Sequence, residues 1–162
     1  MAIMRAVAAD VEPIATLIAD FRVELLRLKG EEPLPDLQAA KEEFAEYLDK
    51  GYPIFLHKQD SRCSGYLVCR AEDSVVWVES LYVKPSARRH GIASMLYQAA
   101  EELAHSYDQP MLYNYVHPNN NAMITFLAKR GYDVLNLIEI RKKRPGELTS
   151  EKINVRNNIF NY

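Results

Sequence analysis

The chain has 162 residues, of which 48% are hydrophobic and 26% charged, with a formal net charge of −2. This composition is ordinary for one compact domain with a full-sized core and leaves no room for a second domain. A net charge so close to zero excludes bulk attraction to nucleic acid or to an anionic membrane, so any anion site must be local.

The first part of the chain predicts a short strand followed by two amphipathic helices. The segment "AIMRAV" has the pattern of a strand, and Asp10 can cap a helix whose apolar residues share one face before Gly30 ends it. Asp36 can cap a second helix, which Gly51 closes.

The residue pattern then changes to that of strands. The runs "YPIFLHK", "CSGYLVCRA" and "VVWVESLYV" are β-branched and aromatic, and polar turns separate them. They predict a three-stranded antiparallel meander that Pro85 ends.

Helices and strands alternate in the remainder of the chain. Apolar spacing predicts a helix from Gly91, "MLYNYV" a strand, "NNAMITFLAKR" a helix that ends at Gly131, and "YDVLNLIEI" a further strand. In the tail, "INVRNNIF" is expected to pair as a strand or to pack on the body of the protein.

Targeting and metal-binding signals are missing from the sequence. Cys63 and Cys69 are too few for a disulfide framework, and no C-x-x-C or H-E-x-x-H spacing occurs. The N-terminal segment lacks a basic-then-apolar signal pattern, and no run of about 18 apolar residues is present. We therefore expect a cytoplasmic protein with no metal site, no membrane span and no nucleic-acid partner.

The segment "ARRHGIA" places positive charge where a strand gives way to a helix. The first turn of a helix has four unpaired backbone N–H groups and about half a positive charge. Gly91 removes a Cβ that would keep a phosphate away, and Arg88 and Arg89 add full charges, so the junction suits a pyrophosphate. A solvated basic loop that only needs a glycine turn is the alternative.

Two motifs at this spacing resemble those of the GNAT superfamily of N-acetyltransferases. Arg88-x-x-Gly91-x-Ala93 matches its acetyl-coenzyme A motif, [Gln/Arg]-x-x-Gly-x-[Gly/Ala]. Further on, Asn120, Gly131 and Tyr132 match the Asn, Gly and aromatic positions of its second signature. The order of predicted strands and helices agrees along the whole chain.

The resemblance implies an α/β fold formed by a single N-acetyltransferase domain over residues 1–162. A central mixed sheet of six to seven strands would be flanked by about four helices. The fourth and fifth strands, "VVWVESLYV" and "MLYNYV", would splay apart to admit the cofactor.

The resemblance also implies which residues bind acetyl-coenzyme A. Backbone groups of the fourth strand would pair with the pantetheine arm, amides of the junction would hold the pyrophosphate, and an asparagine would bond the arm. Core packing is the alternative for Leu81 and Val83, and helix capping for Asn120. The expected residues are Leu81, Tyr82, Val83, Arg88, Arg89, His90, Gly91, Ile92, Ala93, Ser94 and Asn120.

Glu79 is the candidate general base for acetyl transfer. An amine with a lysine-like pKa is protonated at neutral pH, and Glu79 interrupts an apolar strand near the place where the strands should part. An exposed charge on the strand face is the alternative. Family members often carry a Glu in this strand.

The family's usual general acid is missing from this chain. The resemblance implies a Tyr four residues before Gly131, but Leu127 stands there. We expect Tyr115 on the fifth strand to replace it, with a packed core tyrosine as the alternative. Another group or water could also protonate the leaving thiolate.

The acceptor and the partners are less constrained by the sequence. Between Glu31 and Asp49 seven acidic residues face one lysine, Lys41, which mildly favours a cationic small-molecule or peptide amine; a solvated helix face is the alternative. Apolar residues of the tail are expected to pack on the body or on a second copy, which predicts a homodimer. The leading function is amine acetylation, and the alternative is a non-catalytic acyl-coenzyme A binding or regulatory module. The tail residues concerned are Ile153, Val155, Ile159 and Phe160.

Overall fold

The computed structural model of the chain describes residues 2–59, 62–107 and 111–162. The chain divides into two compact units, Met1–Thr125 and Phe126–Tyr162. A single domain over residues 1–162 stays a prediction. In the described part of the chain, no helix is long and apolar enough to cross a membrane.

The first unit is organised around a five-stranded mixed sheet. Its strands are β1 (Ala2–Arg5), β2 (Ile54–Gln59), β3 (Arg62–Glu72), β4 (Val75–Val83) and β5 (Leu112–Asn114), and they lie in that order. Neighbours from β1 to β4 are antiparallel, whereas β4 and β5 are parallel. The predicted meander and the mixed α/β class are confirmed.

Four α-helices accompany the strands in the described residues, as predicted. They are α1 (Val11–Arg27), α2 (Leu37–Asp49), α3 (Ile92–His105) and α4 (Asn121–Ala128).

One of the two predicted helix caps forms and the other does not. The Asp36 side chain accepts the Ala39 N–H at 2.9 Å and so caps α2. Asp10 precedes α1, but its carboxylate instead accepts the Val7 N–H at 3.0 Å and pairs with Lys58. The Asp10 carboxylate therefore pairs with Lys58 of β2 instead of capping α1.

Helices cover both faces of the sheet. Tyr66 on β3 belongs to a buried cluster with residues of α1 and α2, including Ile18 and Phe44. The neighbouring Gly65 points to the other face, where a Cβ would lie 3.2 Å from Leu96 Cδ1 of α3. Glycine is required there because that Cβ would also lie only 2.9 Å from a backbone oxygen.

Strands β4 and β5 pair over a short distance and then separate. Their ladder consists of Val76 with Leu112, Trp77 with Tyr113, and Val78 with Asn114. β4 continues to Val83, so Glu79–Val83 extend beyond the ladder with β5. The predicted separation of the fourth and fifth strands is therefore present.

The predicted strand count of the main sheet was wrong. Its sheet has five strands rather than six to seven, and residues 132–140, "YDVLNLIEI", form no strand. Apolar residues such as Val134 and Leu137 are exposed there, and alternation alone does not make a strand when the backbone has no ladder partner. In the second unit, β6 (Lys152–Val155) and β7 (Asn158–Asn161) form a hairpin, which confirms that "INVRNNIF" pairs.

Candidate active site

Glu79 occupies a β-bulge in β4 at the place where β4 and β5 separate. Val78 pairs with Cys69 and Ser80 pairs with Val68, so no residue of β3 lies opposite Glu79. A bulge interrupts the ladder and redirects the side chain of the extra residue. The next residue back, Val78, is the last of β4 that pairs with β5. Glu79 therefore lies where the sequence predicted it.

The Glu79 carboxylate, 35% exposed, lines an open groove of about 430 Å³ in the first unit. Residues of α1 and α2 and the loop that follows α2 form the rest of the lining. The acidic side chains outnumber the basic ones, so the groove attracts cations. The charged residues of this lining are Glu42, Glu43, Glu46 and Glu79 on the acidic side and Arg22 and Lys50 on the basic side.

Three of these carboxylates have cationic partners: Glu46 pairs with Lys50, Glu79 with Arg70, and Glu43 with Arg22. Arg22 Nε donates to Glu43 Oε2 at 2.9 Å, Arg22 Nη2 donates to Oε1, and the Tyr47 hydroxyl also donates to Glu43. The hydrogen bond to Glu43 raises the pKa of Arg22. Burial and the hydrogen bond to Glu43 raise the pKa of Tyr47, so this phenol stays protonated at neutral pH. Glu43 is therefore a structural residue of the groove lining rather than a candidate base.

Arg70 of β3 connects the groove to the strand beside it. Its Nε donates to Glu79 Oε2 at 3.3 Å and its Nη1 donates to Glu72 Oε2 at 2.6 Å. The same guanidinium lies 5.4 Å from the ring centroid of Trp77. Arg70 was not identified from the sequence as a site residue. The two-residue alternation of β4 could have identified Trp77, because it places Trp77 on the same face as Glu79.

Three rings form an aromatic shelf, defined as Trp77 of β4, Tyr113 of β5 and Tyr115, which follows β5. The Trp77 and Tyr115 rings stack with centroids 4.8 Å apart and planes 10° apart, and Tyr113 lies 4.9 Å from Trp77. Tyr115 is 65% exposed, so it is not a packed core tyrosine. Its ring position is fixed by Trp77, and its role as general acid stays a prediction.

Two buried hydroxyls, of Ser80 on β4 and of Tyr66 on β3, were not singled out from the sequence. Ser80 follows Glu79 and, like Tyr66, it has a side-chain oxygen with no hydrogen-bond partner in the described structure. Burial raises the pKa of Tyr66 well above its ordinary value, and the nearby Ser80 hydroxyl partly opposes that rise. Buried polar atoms seldom lack partners, so these two are unusual features of the strand beside the groove.

The predicted cofactor cradle lies after the far end of β4, where Gly91 forms the N-cap of α3. Gly91 has φ = +77° and Arg89 has φ = +67°, and a Cβ on Gly91 would point into open space. The first helical bond runs from Met95 N–H to Gly91 O at 3.0 Å. The preceding N–H groups have no acceptor within the helix, which is the arrangement that binds anions. These groups belong to Ile92, Ala93 and Ser94.

Arg88 lies at the junction, but its side chain has other partners. Its Nη2 donates to both oxygens of Glu24, at 2.6 and 2.8 Å, and its Nε donates to the Val83 carbonyl at 2.8 Å. Its backbone N–H donates to Pro85 O at 3.3 Å. In the free chain Arg88 is therefore ion-paired with Glu24 of α1, and its role in binding the cofactor stays a prediction.

The other two junction residues are exposed. Arg89 and His90 both lie at the surface, and His90 Nδ1 is 3.3 Å from the Ala87 carbonyl oxygen. Arg89 therefore differs from Arg88 in having an exposed side chain with no ion pair among the described residues, and the anion-binding role of both arginines stays a prediction.

The end of β4 has one edge paired and one edge beyond the β5 ladder. Leu81, Tyr82 and Val83 pair with β3 residues, and the ladder with β5 has already ended. The Tyr82 side chain is buried, which raises its pKa to about 12. Val83 is also buried, so core packing of its side chain is observed, and the backbone role of the segment stays a prediction.

Asn120 caps α4 through its side chain. Its Oδ1 accepts the Met123 N–H at 3.1 Å, and its own N–H donates to His117 O at 2.9 Å. The capping alternative is thus observed, and ligand binding by Asn120 stays a prediction. Leu127, at the position where the family has its tyrosine, is buried.

The described residues contain no set of side chains that could ligate a metal ion. Across 2–59, 62–107 and 111–162, no group of three His, Cys, Asp or Glu residues is placed to hold an ion.

Comparison with known proteins identifies both a sequence family and similar folds. The model of the acetyltransferase (GNAT) family matches residues 17–132. Aminoglycoside N-acetyltransferase AAC(6')-Iy, solved with the bisubstrate analog CoA-S-monomethyl-acetylneamine, is 17% identical with a TM-score of 0.69, over 88% of this chain and 97% of that chain. The comparison with curated proteins found no match.

Two further solved structures have the same fold. Aminoglycoside 6'-N-acetyltransferase AAC(6')-IG from Acinetobacter haemolyticus is 20% identical with a TM-score of 0.64, over 89% of this chain and 99% of that chain. Ribosomal-protein-alanine N-acetyltransferase from Brucella melitensis is 22% identical with a TM-score of 0.64, over 81% and 83%.

Proposed function

This chain belongs to the acetyltransferase (GNAT) family, and from that premise we propose that it transfers an acetyl group from acetyl-coenzyme A to a primary amine of a small molecule or peptide. The transfer occurs by direct attack in a ternary complex. The observation that supports it best is the position of Glu79, which lies at once in the acidic groove and at the start of the open β4 edge.

The end of β4 and the start of α3 fit the acetyl donor. The open space over Gly91 and the N–H groups of Ile92–Ser94 suit the pyrophosphate, with Arg89 beside them. Backbone groups of Leu81–Val83 suit the pantetheine amides, since one edge of this segment has no β5 partner. Coenzyme A was bound in structures of AAC(6')-Iy. When bound here, the donor supplies an activated acetyl thioester.

Glu79 supplies the base that the acceptor requires. An amine with a pKa near 10.4 is almost wholly protonated at neutral pH, and releasing its lone pair costs about 4–5 kcal/mol. The Glu79 carboxylate takes that proton directly or through a water, after the incoming ammonium displaces the Arg70 guanidinium.

Tyr115 is our candidate for the group that protonates the departing thiolate. It carries an exposed hydroxyl on the shelf beside the separation of β4 and β5. Leu127 has no proton to give, so the chain needs a different donor from the one at that position in the family.

The groove favours a cationic acceptor. Four glutamates line it against one arginine and one lysine, which attracts positive charge and disfavours acidic substrates. Similar structures are named for aminoglycosides and for the alanine of a ribosomal protein, so fold similarity leaves small molecules and peptides both open.

The tail hairpin supports a homodimer and the cysteines support a cytoplasmic location. Ile159 on β7 is largely exposed within its own chain, together with partly exposed Phe160. We expect the Ile159→Glu variant to sediment as a monomer at tens of micromolar, on the order of ordinary dimer affinities. A wild-type chain that is already monomeric contradicts the dimer.

Cys63 and Cys69 are buried and unpaired, as in a reducing compartment.

Release of coenzyme A thiol from acetyl-coenzyme A tests the function. The assay offers monoamines, linear and cyclic polyamines, lysine and peptides with free N-termini. We expect at least one cationic amine to release thiol faster than spontaneous hydrolysis does, with mass spectrometry showing the acetylated amine. Thiol release at the hydrolysis rate throughout such a panel contradicts amine acetylation and favours a non-catalytic binding module.

A further inference from the structure

We propose that the aromatic shelf is a second acceptor subsite, which binds an ammonium group of the acceptor other than the one that is acetylated. The acceptor is then a small molecule that carries two or more amines. This inference rests on the proposed function, because it takes the acidic groove as the place where the reacting amine binds.

The shelf is connected to the groove through one side chain. Arg70 donates to Glu79, which lines the groove, and its guanidinium also lies over Trp77 of the shelf. Glu79 and Trp77 therefore share a side-chain neighbour, which places the groove and the shelf beside each other.

The position of Arg70 shows that cations are suited to this place. Its guanidinium has the ring of Trp77 on one side, at 5.4 Å, and the carboxylates of Glu72 and Glu79 within hydrogen-bond distance. A ring face and a carboxylate together are the surroundings that recognise a substituted ammonium. The shelf offers an ammonium of the acceptor ring faces of the kind that already attracts the Arg70 guanidinium.

Tyr115 gives the shelf a surface that a ligand can cover. Its ring is held flat on Trp77, yet 65% of the residue is exposed. A rigid exposed aromatic ring loses little conformational entropy when a ligand covers it. Core packing does not explain Tyr115, since most of its surface faces solvent.

Charge and shape then select the class of acceptor. The groove carries more acidic than basic residues, and the shelf adds a separate surface that attracts cations. A monoamine occupies only the groove, whereas a linear or cyclic polyamine contacts both. The two-site contact predicts tighter binding for molecules with two or more amines.

Fluorescence offers a direct test, because Trp77 is the only tryptophan in the chain. Spermidine, neamine and n-butylamine are titrated separately into the full chain saturated with coenzyme A. We expect a saturable change with spermidine or neamine, and binding of n-butylamine that is at least about tenfold weaker. The first two ligands distinguish a linear from a cyclic polyamine.

Variants then locate the binding surface. Tyr115→Ala should weaken binding of the responding polyamine about fivefold or more, whereas Tyr115→Phe keeps the ring and the affinity. Tyr107→Ala removes an exposed tyrosine after α3 and Glu102→Gln an exposed acid on α3, and both should bind as wild type does.

The outcomes separate this inference from the proposed function. Equal affinity for monoamine and polyamines, no saturable change, or an unaltered affinity in Tyr115→Ala overturns the subsite. A clear polyamine preference together with no thiol release in the panel overturns acetylation instead and leaves polyamine binding at the shelf in place.

Discussion

Arg70 Nε lies 3.3 Å from Glu79 Oε2, so the candidate base has a cationic partner in the free protein. Both side chains are partly exposed, and ion pairs of this kind contribute only about 0–1 kcal/mol. A cationic acceptor can therefore replace Arg70 at little cost. The Arg70–Glu79 pair therefore marks a position, beside the separation of β4 and β5, where a positive charge is stabilised.

The Glu79→Gln variant should retain coenzyme A binding and lose turnover. An amide cannot take the proton of the ammonium, and such help is worth about 10²–10⁴ in rate. We expect kcat to fall by about that factor in the thiol-release assay. Glu72→Gln is the matched control, because Glu72 also accepts from Arg70 but does not line the groove. If both variants turn over like wild type, Glu79 is not the base.

The Gly91→Glu variant should lose coenzyme A affinity by about tenfold or more, because a carboxylate would face the helix-end anion site. The residue has φ = +77°, so a side chain also costs about 1–2 kcal/mol in backbone strain. Gly51→Glu, at φ = +68° with equally open space, should show a similar thermal loss with unchanged affinity in calorimetry. Full affinity in Gly91→Glu would remove the pyrophosphate assignment.

Tyr115→Phe separates the hydroxyl from the ring. If the hydroxyl protonates the thiolate, kcat should fall about tenfold or more while acetyl-coenzyme A affinity stays the same. Tyr113→Phe, which removes the other hydroxyl of the shelf, should leave kcat unchanged. A fully active Tyr115→Phe enzyme would mean that water or another group completes the step.

His57 should make the stability of the chain depend on pH. The ring is buried on β2, its Nδ1 lies 2.6 Å from Ser64 Oγ, and its Nε2 has no partner in the described structure. Burial lowers the pKa of His57 below its ordinary value of 6.5. The folded chain therefore binds fewer protons than the unfolded chain, so stability is full above pH 6.5 and declines as the pH falls below it.

Urea unfolding between pH 8 and pH 5 measures this decline. His57→Asn should flatten the dependence, whereas His105→Asn, on an exposed residue at the end of α3, should keep it. A wild-type midpoint that does not move over this range would show that burial of His57 has no net effect.

Local sequence signals predicted the strands and helices well where each element brings its own partners. The Asp36 cap and the meander rest on neighbours in sequence, and both form. The strand predicted at "YDVLNLIEI" does not form. A strand needs a neighbouring strand to pair with, and the alternation of its own residues does not show whether one is available. Asp10 failed as a cap because Lys58, distant in sequence, takes its oxygen.

The candidate site shows the same difference between features that local sequence predicts and features that tertiary packing sets. Glycine at the start of α3 and a glutamate inside an apolar strand could be recognised from the sequence, because backbone freedom and an isolated charge are properties of single residues. The pairing of Arg88 with Glu24 and of Arg70 with Glu79 could not, since it depends on how α1, β3 and β4 pack.

The sequence by itself determined the family, the mixed α/β class and the position of the glycine-led helix, because these follow from motifs and periodicities within short segments. Only the tertiary structure decided which charges are free and which surfaces meet. It placed Glu79 on a bulge in the acidic groove, paired Arg88 with Glu24, and stacked Tyr115 on Trp77. The physical reason is that hydrogen bonds, ion pairs and ring contacts depend on distances between residues far apart in the chain, and folding alone sets those distances.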